Sequence, residues 1–125
     1  MNIHRAIGCL GVAVIVALGN SAMAATLVGR VIGVADGDTV TVLDSANQQF
    51  KIRLAGIDAP EKRQAFGQRS KQSLSAMVMG RDVRVEYQGR DRYSRIVGKV
   101  LVEGMDACLA QVRSGMAWHY KKYQA

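Results

Sequence analysis

The sequence is short of the residues from which many functional sites are built. Two cysteines, Cys9 and Cys108, stand in 125 residues, which excludes zinc or iron–sulfur centres assembled from four thiolates. Histidine occurs twice, as His4 and His119, so a Ser-His-Asp arrangement has little to draw on. The chain has no internal repeat, low-complexity tract or Pro-rich linker, and Pro60 is its single proline. Its longest mostly apolar run, the thirteen residues Ala6 to Leu18, falls short of the ~20 needed to span a bilayer. Together these absences exclude a disulfide scaffold and argue against a multidomain assembly and a membrane-spanning chain, a retained anchor in the first segment being the alternative, and they favour one domain of ordinary globular composition.

That apolar run has a different reading. Arg5 precedes it and Ala22-Met23-Ala24 follows it, which is the order of a secretory signal peptide: basic, apolar, small-residue cleavage site. Residues 1–24 are therefore expected to be an address, and 25–125 the mature domain of 101 residues. The expected destination is the periplasm or the exterior, without stable membrane insertion once the leader is cut. After cleavage Cys108 is the sole thiol, so the core and not a disulfide must hold the exported fold. Sixteen Lys and Arg then face ten Asp and Glu, a formal charge of +6 that biases the partner toward a polyanion.

From Thr26 to Leu54 the pattern is β. Leu27, Val28, Val31, Ile32 and Val34 form one run; Val40, Val42 and Leu43 a second; Phe50, Ile52 and Leu54 alternate in a third. Asp36-Gly37-Asp38 and Asp44-Ser45-Ala46-Asn47 supply turn chemistry between them. The period then changes to that of a helix, with Phe66, Ser70, Leu74, Met77 and Val78 on one face and Gly80 as its stop. Val83, Val85 and Tyr87 mark a fourth strand and Ile96 to Val102 a fifth. Asp106 is placed to cap a second helix facing inward through Leu109, Val112 and Cys108. Three strands, a helix and two strands is the order of an OB-fold, so the expected class is α+β: a five-stranded OB-fold β-barrel with two to three helices.

Three segments carry charge that such a barrel does not require. The first is Asp36-Gly37-Asp38-Thr39. The second runs from Arg53 to Glu61, where Pro60 stiffens a loop between the carboxylates of Asp58 and Glu61. The third is Arg90-Asp91-Arg92-Tyr93-Ser94-Arg95, in which guanidinium forks suited to phosphate surround a tyrosine. Each alone is also compatible with a solvated turn. Combined, they hold the inventory of phosphodiester hydrolysis: hard oxygen ligands for a divalent cation, a further carboxylate to serve as a base near the water, and cations for the pentacoordinate transition state. Carboxylates without histidine or thiolate point to Ca²⁺ or Mg²⁺ over zinc.

In the same order, these three segments resemble the signature segments of the staphylococcal nuclease (thermonuclease) family, and the likeness extends from Thr26 to Tyr123. The end of the chain, Leu109 to Gly115 followed by Ala117-Trp118-His119-Tyr120, is similar to that family's last barrel-side helix and the segment after it. The resemblance implies Asp38 and Asp58 as direct Ca²⁺ ligands, with the backbone carbonyl of Ala59 as a third; the best-known member has threonine there, and a carbonyl ligand survives the change. It implies Glu61 as general base for the attacking water or as the group that positions it. It assigns Arg53 and Arg95 to the scissile phosphate, and Asp36 to orienting cation-bound water. Arg92, in place of a lysine, and Tyr93 are set near the terminal phosphate of the substrate. Ser94 stands where a glycine is expected, and the loop after Glu61 is much shorter than in the best-known member.

The expected protein is thus an exported, Ca²⁺-dependent, monomeric nuclease. It hydrolyses DNA and RNA with little sequence specificity, single strands preferred, and leaves 3′-phosphate products. Two other classes are open to the same sequence: a catalytically silent OB-fold module that binds nucleic acid, and a basic exported module that binds envelope polyanions. Trp118, Tyr120 and Tyr123, with Lys121 and Lys122, can serve base stacking and phosphate contact or the packing of the barrel's end.

Overall fold

A computed structural model describes residues 24–119. The leader up to Met23, and Tyr120, Lys121, Lys122 and Tyr123, lie outside the described residues. The chain order is β1 (Ala25–Asp36), β2 (Thr39–Leu43), β3 (Gln49–Leu54), β4 (Ile57–Asp58), α1 (Gly67–Val78), β5 (Asp82–Arg90), β6 (Ile96–Val102), β7 (Met105–Asp106), α2 (Ala107–Arg113) and β8 (Trp118–His119).

β1 is long enough to serve two neighbours. Its first half pairs antiparallel with β5, Ala25 opposite Tyr87 through Arg30 opposite Asp82, and its second half with β2, Arg30 opposite Leu43 through Asp36 opposite Thr39. Register shifts after Val31 and Val34 bend the strand as it changes partner, the usual work of a bulge at a barrel corner. β2 pairs with β3 and β5 with β6. One parallel pairing, β3 with β6, closes the ring, with Ile52, Arg53 and Leu54 opposite Ile96, Val97 and Gly98. The result is the expected α+β fold, a closed five-stranded OB-type barrel, with two helices among the described residues.

Alternation along the strands fills the barrel. Val31, Val40, Val42, Ile52, Leu54, Val85, Ile96 and Val100 are fully buried, and Leu74 and Val78 of α1 join the same core. None of the helices described is long and apolar enough to cross a membrane. Cys108 is buried as well, and burial pushes its thiol up to about 12, so it behaves as a small apolar side chain and not as a nucleophile.

Two expectations about the helices change. Phe66 is not on the inner face of α1; it stands just before the helix in the left-handed conformation and is exposed. On α2 the inward face is Ala107, Cys108 and Gln111, while Leu109 points outward. The helix is only seven residues long, and Asp106, whose carboxylate accepts from the Cys108 and Leu109 amides, fixes its rotation about the axis.

The topology collects the three charged segments. The β1–β2 turn carries Asp38, Thr39 pairs with Arg53 at the end of β3, and Arg53 pairs with Val97 two residues beyond Arg95. All three meet at one end of the barrel.

Candidate active site

The Asp36-Gly37-Asp38 turn is tied down from several directions. The amide of Asp38 donates to Asp36 Oδ1 at 3.1 Å, closing a local Asx turn. The carboxylate of Asp38 is buried and hydrogen-bonded through both oxygens: Oδ1 accepts from the Thr39 hydroxyl at 2.9 Å and Oδ2 from the Ala59 amide at 2.9 Å, which leaves further acceptor sites on each. Its carbonyl accepts from the Leu54 amide at 2.8 Å. Gly37 must be glycine for space, since a Cβ there would meet the Cβ of Ser70 at 2.8 Å and of Ala59 at 2.9 Å. Behind the turn lies Gln111, fully buried. Its Nε2 donates to the carbonyls of Gly37 at 2.9 Å and Ser70 at 3.1 Å, and its Oε1 accepts from the Ser73 hydroxyl at 2.7 Å.

Arg53 reaches into this corner from the end of β3, its side chain 16% exposed. Its Nη1 donates to the Leu54 carbonyl at 2.9 Å, and its Nη2 lies 3.4 Å from Asp38 Oδ2 and 3.4 Å from Asp58 Oδ1. Two carboxylates therefore converge on one nitrogen. Asp58 is the more open of the two, and Ala59 beside it is buried.

Arg95 approaches from the other side. Asp91 holds it through both oxygens: Oδ1 accepts the amides of Tyr93 at 2.9 Å and Arg95 at 3.0 Å, and Oδ2 accepts Arg95 Nε at 2.7 Å. Against its desolvation, those amides and the guanidinium hold the Asp91 carboxyl below the usual carboxylate range. The Tyr93 ring lies exposed at the rim, with the guanidinium carbons of Arg92 and Arg95 5.3 Å and 5.5 Å from its centroid. Ser94 adopts φ 64°, the conformation for which glycine is favoured. Arg53 and Arg95 line the same cavity of about 70 Å³, together with Asp91, Gly56, Ile57 and Val97.

Glu61 stands apart. It is exposed, and its carboxylate has no hydrogen bond or ion pair among the described residues. Its backbone is nevertheless fixed: the amide donates to Gln64 Oε1 at 2.7 Å, and its carbonyl accepts from the Gln64 amide at 2.8 Å. Gly67 packs on that backbone so closely that a Cβ there would lie 2.8 Å from the Lys62 Cα.

Hard oxygen ligands fit a Ca²⁺- or Mg²⁺-type cation by chemistry. Asp38 and Asp58 already share a positive partner in Nη2 of Arg53. Asp36 has its carboxyl pushed up to about 6 by burial and then by Asp38, so negative charge in this corner is incompletely relieved. Among the described residues no cluster of three or more His, Cys, Asp or Glu forms a complete cage; two carboxylates and a carbonyl require water to complete the shell.

A sequence profile described as staphylococcal nuclease homologue matches residues 51–125. The chain belongs to the staphylococcal nuclease family. The matched stretch contains Arg53, Asp58, Ala59, Glu61, Arg92, Tyr93 and Arg95, and leaves the Asp36–Thr39 turn outside. Among similar proteins, one from Haemophilus influenzae named as an uncharacterized endonuclease is 49% identical over 94 residues, 75% of this chain and 53% of that protein. Another of the same name from Escherichia coli is 45% identical over 102 residues, 81% and 66%. A Shigella flexneri protein named micrococcal nuclease is 38% identical over 106 residues, 76% and 59%. The chain thus spans about half to two thirds of the length of these relatives.

Geometry brings together Asp36, Asp38, Arg53, Asp58, Ala59 and Arg95, sets Tyr93 and Arg92 at the rim, and leaves Glu61 on its own pinned loop. Sequence reasoning gave no role to Asp91, Thr39, Gln64 or Gln111. Asp91 was findable as an acid four residues before an arginine within one loop. Gln111 offered only a polar residue among the apolar positions of α2.

Proposed function

We propose that the protein is an exported phosphodiesterase that hydrolyses DNA and RNA with Ca²⁺, acts as a monomer on single strands in preference to duplex, and is produced by removal of residues 1–24. The observation that carries the reading is the placement of Arg53 and Arg95 on one small cavity beside two carboxylates that share a single guanidinium nitrogen. This is a phosphate-sized cationic niche against an oxygen-donor corner. Family membership supports the same reading.

Asp38, Asp58 and the Ala59 carbonyl would hold the cation, and Asp36 would orient water beside it. When bound, the cation neutralises phosphate charge and acidifies water. Arg53 and Arg95 grip the two non-bridging oxygens of the scissile phosphate, and their hydrogen bonds strengthen as charge builds on those oxygens. Glu61, exposed and without a side-chain partner among the described residues, accepts a proton from the attacking water. Water oxygen bonds to phosphorus, the bond to the 5′ oxygen breaks, and that oxygen takes up a proton from solvent, leaving phosphate on the 3′ side. Arg92 and Tyr93 at the rim contact a neighbouring phosphate. Contacts directed to phosphate carry little sequence information, which accounts for low specificity, and they make binding fall steeply with salt.

The test is degradation of single-stranded DNA at low salt with Ca²⁺, with Mg²⁺ and with chelator. Cleavage in Ca²⁺ and none with chelator is expected; Arg95→Ala and Glu61→Ala should each lower turnover by about two to three orders of magnitude while the fold persists. Tight DNA binding without cleavage would instead assign the chain to the silent binding class, and salt-insensitive indifference to DNA would remove nucleic acid altogether.

A further inference from the structure

Beyond the phosphate-handling corner lies a second, apolar cleft. It holds about 330 Å³ and is lined by Pro60, Gln64, Phe66, Met116 and Trp118, among others. Phe66 and Trp118 are 66% and 54% exposed on its walls, in a chain with only 6% aromatic residues. The cleft borders the residues of the candidate active site: Trp118 sits directly opposite Asp58 in the β4–β8 ladder, and Pro60 lies between Ala59 and Glu61.

Phe66 is held there against its own preferences. Its φ of 63° and ψ of 0° place a bulky side chain in the left-handed region, which is costly for residues other than glycine, asparagine and aspartate. Its ring gains little from burial, being mostly in water. Folding thus benefits neither from the conformation nor from the exposure, the circumstance in which backbone strain points to function. Cations outnumber acids around the cleft: the Arg69 guanidinium carbon lies 5.9 Å from the Phe66 centroid, and Lys62 and Arg63 are exposed on the same loop, against Glu61 on that loop and Asp58 opposite Trp118.

We propose that Phe66 and Trp118 form a stacking site for one base of single-stranded nucleic acid, next to the nucleotide whose phosphate is cleaved. Aromatic faces take any base, and flanking cations follow the backbone, so the site adds affinity and a preference for unpaired strands without reading sequence. This inference rests on the nuclease reading.

Trp118 is the single tryptophan, so its emission reports on the cleft directly. With chelator present to prevent turnover, a short oligothymidylate should quench that emission, and an abasic oligomer of the same length should not. Phe66→Gly should weaken oligothymidylate binding about tenfold, leave binding of the abasic oligomer unchanged, and hold or raise Tm by relieving the left-handed strain. Cleavage of single-stranded DNA with unaltered Trp118 emission overturns the stacking site and leaves the nuclease reading intact; neither cleavage nor binding overturns both. Equal quenching by the abasic oligomer overturns the site, as does a Tm drop of several degrees in Phe66→Gly, which makes Phe66 a packing residue. A red shift of Trp118 on deletion of residues 120–125, with no quenching by DNA, assigns the cleft to the chain's own end.

Discussion

Arg53 and Arg95 face the same cavity but are held there by opposite means. Around Arg53, beside its local contacts to the Leu54 carbonyl and Asp58, the bracing comes from afar: Asp38 is bonded to the Ala59 amide across 21 residues, and the turn that carries it is braced by Gln111 across 74. Arg95 is held by Asp91, four residues earlier, which also folds the loop between them. One arginine is positioned by the barrel and its helices, the other by its own loop. Damage at the first should therefore reach the whole fold, whereas damage at the second should stay local.

Paired substitutions give the largest expected contrast. Arg53→Met removes the cation between Asp38 and Asp58 and leaves a buried carboxylate without its guanidinium, at a cost of about 3 kcal/mol. Arg95 is the more exposed of the two arginines, and Arg95→Met strands only Asp91, which keeps the Tyr93 and Arg95 amides as partners, so about 1 kcal/mol or less is expected. Both should abolish most DNA cleavage. Urea denaturation with chelator present checks the difference; equal midpoints for the two variants would show that the corner around Arg53 is not a tertiary brace.

Next in size is Gln111→Leu. The shape is nearly kept, but the carbonyls of Gly37 and Ser70 and the hydroxyl of Ser73 lose their buried partner, which is expected to cost about 2 kcal/mol. Because the loosened turn carries Asp36 and Asp38, cleavage should fall as well, and more than in a surface variant of equal stability. A loss of stability with unchanged turnover would confine Gln111 to packing.

The same contrast explains what could be read in advance. Strict alternation in Phe50, Ile52 and Leu54, and in Val83, Val85 and Tyr87, is a local signal, and such signals located five strands and a helix in the chain order of an OB-fold. The charged segments were equally local, so the residues of the corner were visible. What sequence could not carry was contact across the chain: Asp38 to Ala59, Gln111 to Gly37, and the two-residue strands β4 and β8 that bring Trp118 opposite Asp58. Two residues have no periodicity to detect. Phe66 and Leu109 were misplaced for a related reason, because periodicity gives a stripe and the caps decide where it starts and which way it faces.

A smaller effect tests the electrostatics of the corner. Asp36 titrates at about 6 in the fold against 3.8 for the free side chain, raised by burial and then by Asp38. Between those values the folded protein holds more protons than the unfolded chain, so with chelator present stability should decline as pH rises from about 4 to about 6. Asp36 is only half-buried, which limits the change to about 1 kcal/mol. In Asp36→Asn the decline should flatten; a curve that still falls by the same amount places the titrating group elsewhere.

The smallest change should be a gain. Ser94 sits at φ 64° on the exposed loop that ends in Arg95, and glycine adopts that conformation without the clash of a Cβ. Part of the relief is offset by the greater freedom of glycine in the unfolded chain, so Ser94→Gly is expected to stabilise by about 0.5 kcal/mol. Since Asp91 and the turn amides already hold the loop, this local relief should leave the Arg53 corner untouched and cleavage equal or slightly raised. A thermal melt and a cleavage assay on the one variant check both halves. A rise in Tm accompanied by lost activity would mean that the strained serine, and not Asp91 alone, sets where Arg95 points.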